Sequence, residues 1–361
     1  MNFRIFFLLI SFWFVSSAQA VNVKGLYSAE INLPVTQSEA QMLNKAFALA
    51  AEQVLIKVSG NKEAISGDLL LQAQQQASSW VAQHSVASLN ELLPSDGGLV
   101  PGKQIRVTFY QESIDSFLSQ NALPVWGNNR PSVLVWLASE NNGIRRLSGS
   151  NAPSQILNDF ALASSRVGVP IYAPLIDATD LQSITAADVW GFFEDSIADA
   201  SKRYQTDAVA ALRVSSYAGH IGGSLLVMQK AGETERFTLT GDTLEALLDQ
   251  ASAKLAYVFA SRYASVRNAG SASVLTMQIG GVNNYASMAK VQAYLESIGV
   301  VREVTLVQVK EEQVEYRIAV DGDKQKLFNS ISLSSLLVET PLNALDPDAN
   351  RVVSYLYSGV N

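Results

Sequence analysis

Cysteine is absent from the sequence, and histidine occurs only twice in 361 residues, as His84 and His220. Without cysteine there are no disulfides, thiolate metal sites, thiol nucleophiles or lipidated cysteine tether. His84 falls at the end of a Gln-rich helical segment, where a positive group suits the helix dipole, and His220 in a glycine-rich turn. Neither belongs to the His-x-x-x-His or His-Glu-x-x-His spacing of a zinc site. Also missing are the Gly-x-Ser-x-Gly nucleophile elbow and the full phosphate loop Gly-x-x-x-x-Gly-Lys-Ser/Thr, since Gln104 follows Gly102-Lys103. Charged residues make up 16% of the chain, and 33 acids against 26 bases leave a net charge of −7. Such an acidic, evenly mixed balance gives no footprint for nucleic acid or anionic lipid. No metal and no cofactor is expected, and an enzyme reading is left with Asp and Glu chemistry.

Hydrophobic residues make up 48% of the chain, which excludes disorder. The length suggests two or three domains of ~100–200 residues each. Residues 1–20 stand apart. Arg4 supplies one positive charge, Ile5 to Val15 is apolar except for Ser11, and Ala18-Gln19-Ala20 ends in Ala-x-Ala. That is a secretory signal with its cleavage site. The apolar run falls well short of the ~20 residues that a spanning helix needs. The expected mature chain starts at Val21, carries −8 once Arg4 is lost, and has no integral membrane segment. A short signal and no disulfides fit a bacterial periplasm.

Three units follow, for a multi-domain α/β and α+β chain. Residues 21–123 read as a small α+β domain. A half-buried strand at Val23–Ile31 leads to Thr36-Gln37-Ser38-Glu39, a capping-box pattern. The next helix carries Ala40, Leu43, Phe47, Ala50, Val54 and Leu55 on one face and stops at Ser59-Gly60-Asn61. A Gln/Ala-rich helix over Asp68–His84, a strand over Gln104–Tyr110 and a short helix marked by Ile114, Phe117 and Leu118 complete the unit.

Residues 124–267 read as an α/β domain. Val133–Ala138 is apolar on both faces, as a strand covered by helices on each side must be. A helix with Leu157 and Phe160, a strand at Val167–Tyr172 and a helix capped at Thr185 follow, the last with Val189, Trp190, Phe193 and Ile197 inward. Parallel pairing with right-handed crossovers is implied. Ala208–Val214, Ser224–Gln229 and Arg236–Thr240 form an antiparallel meander, closed by a helix over Leu244–Phe259. After the small uncharged linker Asn268–Ala272, residues 268–361 show the βαββα order of a ferredoxin-like unit, with Val352–Leu356 as its last strand.

Most polar clusters have plain structural readings. Gly219–Gly223 joins two strands and reads as a hairpin turn. Asp321-Gly322-Asp323 and Asp346-Pro347-Asp348 lack the spaced oxygens of a calcium loop and read as solvated turns. Glu194-Asp195 reads as the polar face of a helix, and Asn283-Asn284 as a helix cap. The segment Trp126-Gly127-Asn128-Asn129-Arg130-Pro131 carries two readings. Trp126 is an aromatic anchor and Arg130 a forked donor for a partner carboxylate. Alternatively Trp126 packs inward, Asn128-Asn129 turn the chain and Pro131 stiffens the start of the apolar strand. The second reading, a rigid hinge, is preferred.

The stretch Glu52–Asn61, with Leu123-Pro124-Val125-Trp126-Gly127 and Arg130-Pro131-x-Val133-Leu134-Val135-Trp136-Leu137, resembles exported proteobacterial proteins grouped as domain of unknown function 2066. The resemblance extends over most of the mature chain and implies no activity, cofactor or catalytic residue. Asp207–Tyr263 is also loosely similar in topology to periplasmic accessory domains of envelope assembly proteins. The expectation is a soluble periplasmic, non-catalytic accessory factor that contacts an envelope protein. A carboxylate-based hydrolase of cell-wall material is one alternative. The other is a small-ligand module at the carboxyl ends of the parallel strands, after Ala138 or Tyr172, with Ser139-Glu140-Asn141-Asn142 the first place to look.

Overall fold

The computed structural model describes residues 21–217, 220–229, 232–266, 272–340 and 352–359. The expected signal segment, residues 268–271 of the expected linker and Asp346-Pro347-Asp348 lie outside the described residues, while Ala272, the last residue of that linker, opens a strand. The architecture is mixed α/β with several sheets, both parallel and antiparallel.

The first unit holds β1 (Val21–Asn22), β2 (Ser28–Pro34), α1 (Glu39–Ser59), α2 (Gly67–Trp80), β3 (Val81–Ser95), β4 (Gly98–Phe109) and α3 (Gln111–Gln120). Strands β2, β4 and β3 form an antiparallel sheet in that order. Helix α1 lies in one core with this sheet, Ala46, Ala50 and Val54 being fully buried alongside Ile105 and Val107. Its inner face begins at Met42, while Ala40 is exposed. The cap is two residues later than the Thr36 pattern, because pairing continues past Pro34 into the Val35 amide, which donates to Pro101 O. Ser38 is the N-cap, and Gln41 Oε1 accepts from its hydroxyl at 2.9 Å. Gly60, at φ 65°, closes the helix as expected.

The helix expected over Asp68–His84 ends at Trp80. Trp80 is buried with its ring 5.0 Å from that of Phe117, and from Val81 onward the chain pairs with β4. Long-range pairing overrides a weak local helical preference here. His84 therefore caps no helix; it sits opposite Val107 with its ring edge-on to Phe47 at 5.4 Å. Outward from Leu92 and Pro101 the β3–β4 pair leaves the sheet as a two-stranded ribbon, after a register shift between Ser88 and Leu92.

Two short strands, β5 (Pro124–Val125) and β6 (Asn129–Arg130), lead to the central unit. It comprises β7 (Val133–Asn141), β8 (Ile144–Ser148), α4 (Gln155–Arg166), β9 (Ile171–Tyr172), α5 (Ala178–Ser183), α6 (Ala186–Gly191), α7 (Glu194–Ser201), β10 (Ala208–Tyr217), β11 (His220–Gln229), β12 (Thr234–Thr240) and α8 (Leu244–Tyr263). The sheet runs β12-β11-β10-β7-β8, with β9 also on β7. Strand β7 pairs in parallel with β9 and β10, and β10, β11 and β12 form the antiparallel meander. Val133, Val135 and Leu137 of β7 join the core containing α4 and α8, while Leu134, Trp136 and Ala138 join the one containing α6 and α7. The unbroken apolar run thus serves two faces.

Thr185 caps α6 as expected, sharing a capping box with Asp188. The helix then breaks at Phe192, which takes φ 54°, so Phe192 points inward and Phe193 is exposed. In the glycine cluster, Gly222 and Gly223 are strand residues of β11, and the β10–β11 turn falls on residues outside the described part.

After β13 (Ser265–Val266), the third unit has β14 (Ala272–Gly280), α9 (Tyr285–Ser297), β15 (Val301–Lys310), β16 (Gln313–Asp321), α10 (Lys324–Ser332), β17 (Leu337–Glu339) and β18 (Val352–Tyr357). The order β15-β16-β14-β18 is that of a ferredoxin-like unit, with β17 added at the edge. The last lane differs in direction. A crossover from β16 through α10 should return antiparallel to β14, and β17 does so. Strand β18 inserts between them, parallel to β14.

Asn284 caps α9, its Oδ1 accepting from Ser287 N at 2.8 Å. The reading of Asp321 as a solvated turn residue is corrected: it is 2% exposed and ion-paired to Arg302.

The first and central units share one apolar core, in which α1 and α8 both take part. Phe259 of α8, fully buried, lies 6.5 Å from the Trp126 ring. Phe259→Ala should cost about 3–5 kcal/mol. Native-state hydrogen exchange should show Val107 and Leu212, one in each sheet, both losing protection; loss confined to Leu212 would contradict a shared core.

Candidate functional site

The segment preferred as a hinge lies where the three units meet. Trp126 and Arg130 are inside the protein, at 1% and 0% exposure, Pro131 is buried, and Asn128 and Asn129 are half-buried. Strand β6 pairs with β1, and β5 pairs with β13, so the segment is paired with the start of the first unit and with the chain that leaves the central unit. Toward the third unit, Asn129 Nδ2 donates to Ser330 O at 2.9 Å. A Cβ on Gly127 would lie 2.7 Å from Gly299 N, a close approach that needs glycine.

Among the described residues Arg130 meets no carboxylate. Its guanidinium lies 3.9 Å over the Trp126 ring and donates to five backbone carbonyls. Nε reaches Gly127 O at 3.0 Å, Nη1 reaches Val167 O at 3.3 Å and Gly168 O at 3.0 Å, and Nη2 reaches Lys57 O at 2.7 Å and Trp126 O at 3.0 Å. A guanidinium has five N–H groups, so all of them are used. Three of the acceptors lie at the carboxyl ends of α1 and α4, where the helix dipole favours a cation. Trp126 Nε1 and Asn128 Oδ1 are buried without partners among the described residues.

Lys57 is a second buried cation, donating to Ser28 O at 2.7 Å. Gly168, at φ 73°, fits between the two; a Cβ there would sit 2.5 Å from Arg130 Nη1. Burial, reinforced by Arg130, pulls the Lys57 ammonium down to about 8.

A different arrangement occupies the carboxyl end of the central sheet. From β7 the chain crosses by α4 to β9 on one side, then by α5–α7 to β10 on the other. Opposite crossovers leave a crevice outside the strand ends, where open α/β sheets hold ligands. Here it measures about 690 Å³ and includes the expected loop Ser139-Glu140-Asn141-Asn142 in its wall. Glu140 is engaged by Arg145 at 2.8 Å, and Arg145 in turn lies 4.6 Å over Trp190 of α6.

On the α4 side stands Arg146, paired in register with Ser139. It is exposed and has no hydrogen bond or ion pair among the described residues. Ser148, at 3% exposure, lines the same space, and its hydroxyl also has no partner among the described residues. Ser154 caps α4 by accepting from Leu157 N at 3.2 Å. Ile156, Val214, Ile221 and Leu244 supply apolar wall. The sequence pointed to the loop but not to Arg146; its place on β8, opposite Ser139, becomes visible only with the hairpin register.

Among the described residues no cluster of His, Asp and Glu is arranged to hold a metal, and no helix is long and apolar enough to cross a membrane.

Two outcomes test the joint. Arg130→Lys keeps the charge but not the five-donor fork, and should lose about 3–5 kcal/mol in urea unfolding; a loss under about 1 kcal/mol would refute the assigned role. Lys57 binds its proton less tightly when folded than when unfolded. Its burial therefore costs stability below pH 8, and that cost fades as pH rises from about 8 toward the unfolded value of 10.5. Lys57→Met should exceed the parent in stability by up to about 3 kcal/mol at pH 7, with the advantage shrinking by pH 10. An advantage that does not change with pH would contradict this.

Residues 20–127 match a family profile described as "Domain of unknown function (DUF8605)". The match spans the first unit and stops inside the joint, so a domain of unknown function is present there under a number other than 2066. No curated protein matches the chain.

Proposed function

We propose that the chain is exported to the periplasm, is cleaved after Ala20, and works there as a soluble, non-catalytic accessory factor in cell-envelope assembly or maintenance. In this reading it acts by holding an envelope protein, and the divisions at 123/124 and 267/268 separate three units set around a rigid joint at Trp126, Asn128, Asn129, Arg130 and Pro131. The likeness of Leu123–Leu137 to the exported proteins of domain of unknown function 2066 belongs to the same proposal, since the profile match ends at residue 127.

The observation that carries it is the β3–β4 ribbon. Leu92 and Leu99 face solvent near its end at 56% and 67% exposure. Leu89 and Leu93 fold back onto Gly102, where a Cβ would meet both at 2.8 Å. A paired ribbon with apolar side chains outside the sheet suits a partner offering an apolar surface or strand.

A photo-crosslinking residue at Leu92 or Leu99 should give one discrete adduct in intact cells. The same residue at Leu162, a comparably exposed leucine on α4, should not. Absent or equal adducts would count against the ribbon, and recovery of the native product with Met1 retained would count against export.

The crevice favours a second reading, a small-ligand module, because a cation and the hydroxyl of Ser148, unpartnered among the described residues, share one cavity. The hydrolase alternative gains nothing there, since Glu140, the one carboxylate in the crevice wall, is tied to Arg145.

A further inference from the structure

We infer that the crevice at the carboxyl ends of β7 and β10 binds a small amphiphile with one anionic head, anchored by Arg146, with its apolar part against Ile156, Val214, Ile221 and Leu244. The inference rests on the small-ligand reading and specifies its chemistry.

Four observations converge on it. Arg146 has no partner among the described residues, in a chain that carries an excess of acid. The adjacent carboxylate, Glu140, is already neutralised by Arg145, so no acid in the crevice wall competes for Arg146. Ser148, itself 3% exposed, lines the crevice, and its hydroxyl has no partner among the described residues, which leaves it available to donate to or accept from a bound head group. Ser154 and Ile156, in the first turn of the twelve-residue α4, border the same space. Only Leu157 N is capped there, which leaves the amides of Gln155 and Ile156 for an anion.

Beside the polar Ser139, Asn141, Asn142 and Ser216, the wall has an aliphatic part at Ile156, Val214, Ile221 and Leu244, which a bare inorganic ion would leave unused. At about 690 Å³ the space suits an organic molecule rather than a single ion. A carboxylate or a phosphate head satisfies the polar end equally well, and the two are separated by experiment.

Octanoate and octyl phosphate serve as probes with one tail and two heads, and octanol as the uncharged control. They are titrated into the full-length mature chain, followed by calorimetry and by backbone amide shifts. At least one charged probe should bind saturably, with shifts at Ser139, Ser148 and Ile156. Arg146→Gln should weaken it by about tenfold or more, and Arg146→Lys by less. Arg106→Gln, an exposed arginine of the first sheet, should change nothing. The stronger of the two charged probes identifies the head group. Octanol binding as well as the acids, with Arg146→Gln neutral, would overturn the anionic specificity and leave the small-ligand reading standing. No saturable binding of any probe, or shifts confined to other surfaces, would overturn both.

Discussion

Arg130 is the group on which the arrangement of units depends. Taking a guanidinium out of water costs several kcal/mol unless every donor finds an acceptor. Here the acceptors are five carbonyls drawn from the end of α1, the turn after α4 and the joint itself. Carbonyls at helix ends have no partner inside their own helix, so the same contacts meet a need on both sides. Because the acceptors belong to the backbone, the cation fixes where two helices end relative to one another, and side-chain substitutions in those helices leave its bonds available. The close approach of Gly127 to Gly299 then sets the third unit against the same few residues.

Much of the architecture was legible because it rests on local pattern. The unbroken run Val133–Ala138 could only be a strand covered on both faces, and its side chains divide between two cores as their alternation requires. Gly60, Thr185 and Asn284 marked helix ends that the structure confirms. What was not legible depends on partners distant in sequence. Residues 81–84 continue a helical composition but pair with β4, and Asp321 reads as a turn residue until Arg302 is brought beside it. The insertion of β18 between β14 and β17 follows from no local signal, since strand period says nothing about lane or direction. At the joint, the sequence offered Trp126 and Arg130 as either surface or interior residues. Only the positions of Lys57, Val167 and Gly168 reveal five acceptors around one cation.

The interior and the exposed features divide sharply by chemistry. Interior polar groups at the start of the central sheet are satisfied, whereas at the joint Arg130 is satisfied but Trp126 Nε1 and Asn128 Oδ1 have no partner among the described residues. Ser132 and Asp207 tie the starts of β7 and β10 through a 2.9 Å amide bond and a 2.7 Å hydroxyl bond, and Trp136 Nε1 donates to Ser201 at 2.8 Å. Solvent-facing groups without a partner stand at the ribbon end and in the crevice. The first carries apolar side chains without cover, and the second a cation and a hydroxyl without partners. These are the positions where burial by something outside the chain would gain the most free energy.

Helix α4 connects the joint to the crevice. Its twelve residues span about 18 Å. Val167 and Gly168, just past its carboxyl end, deliver their carbonyls to Arg130, while Ser154 at its amino end borders the crevice. The negative end of the helix dipole therefore faces a permanent buried cation, and the positive end faces a cavity that contains no free carboxylate. A helix fixed at one end by five-donor geometry cannot easily rotate to present different amides at the other. Whatever occupies the crevice consequently meets a preset array of donors, and preset donors bind with less ordering cost than flexible ones.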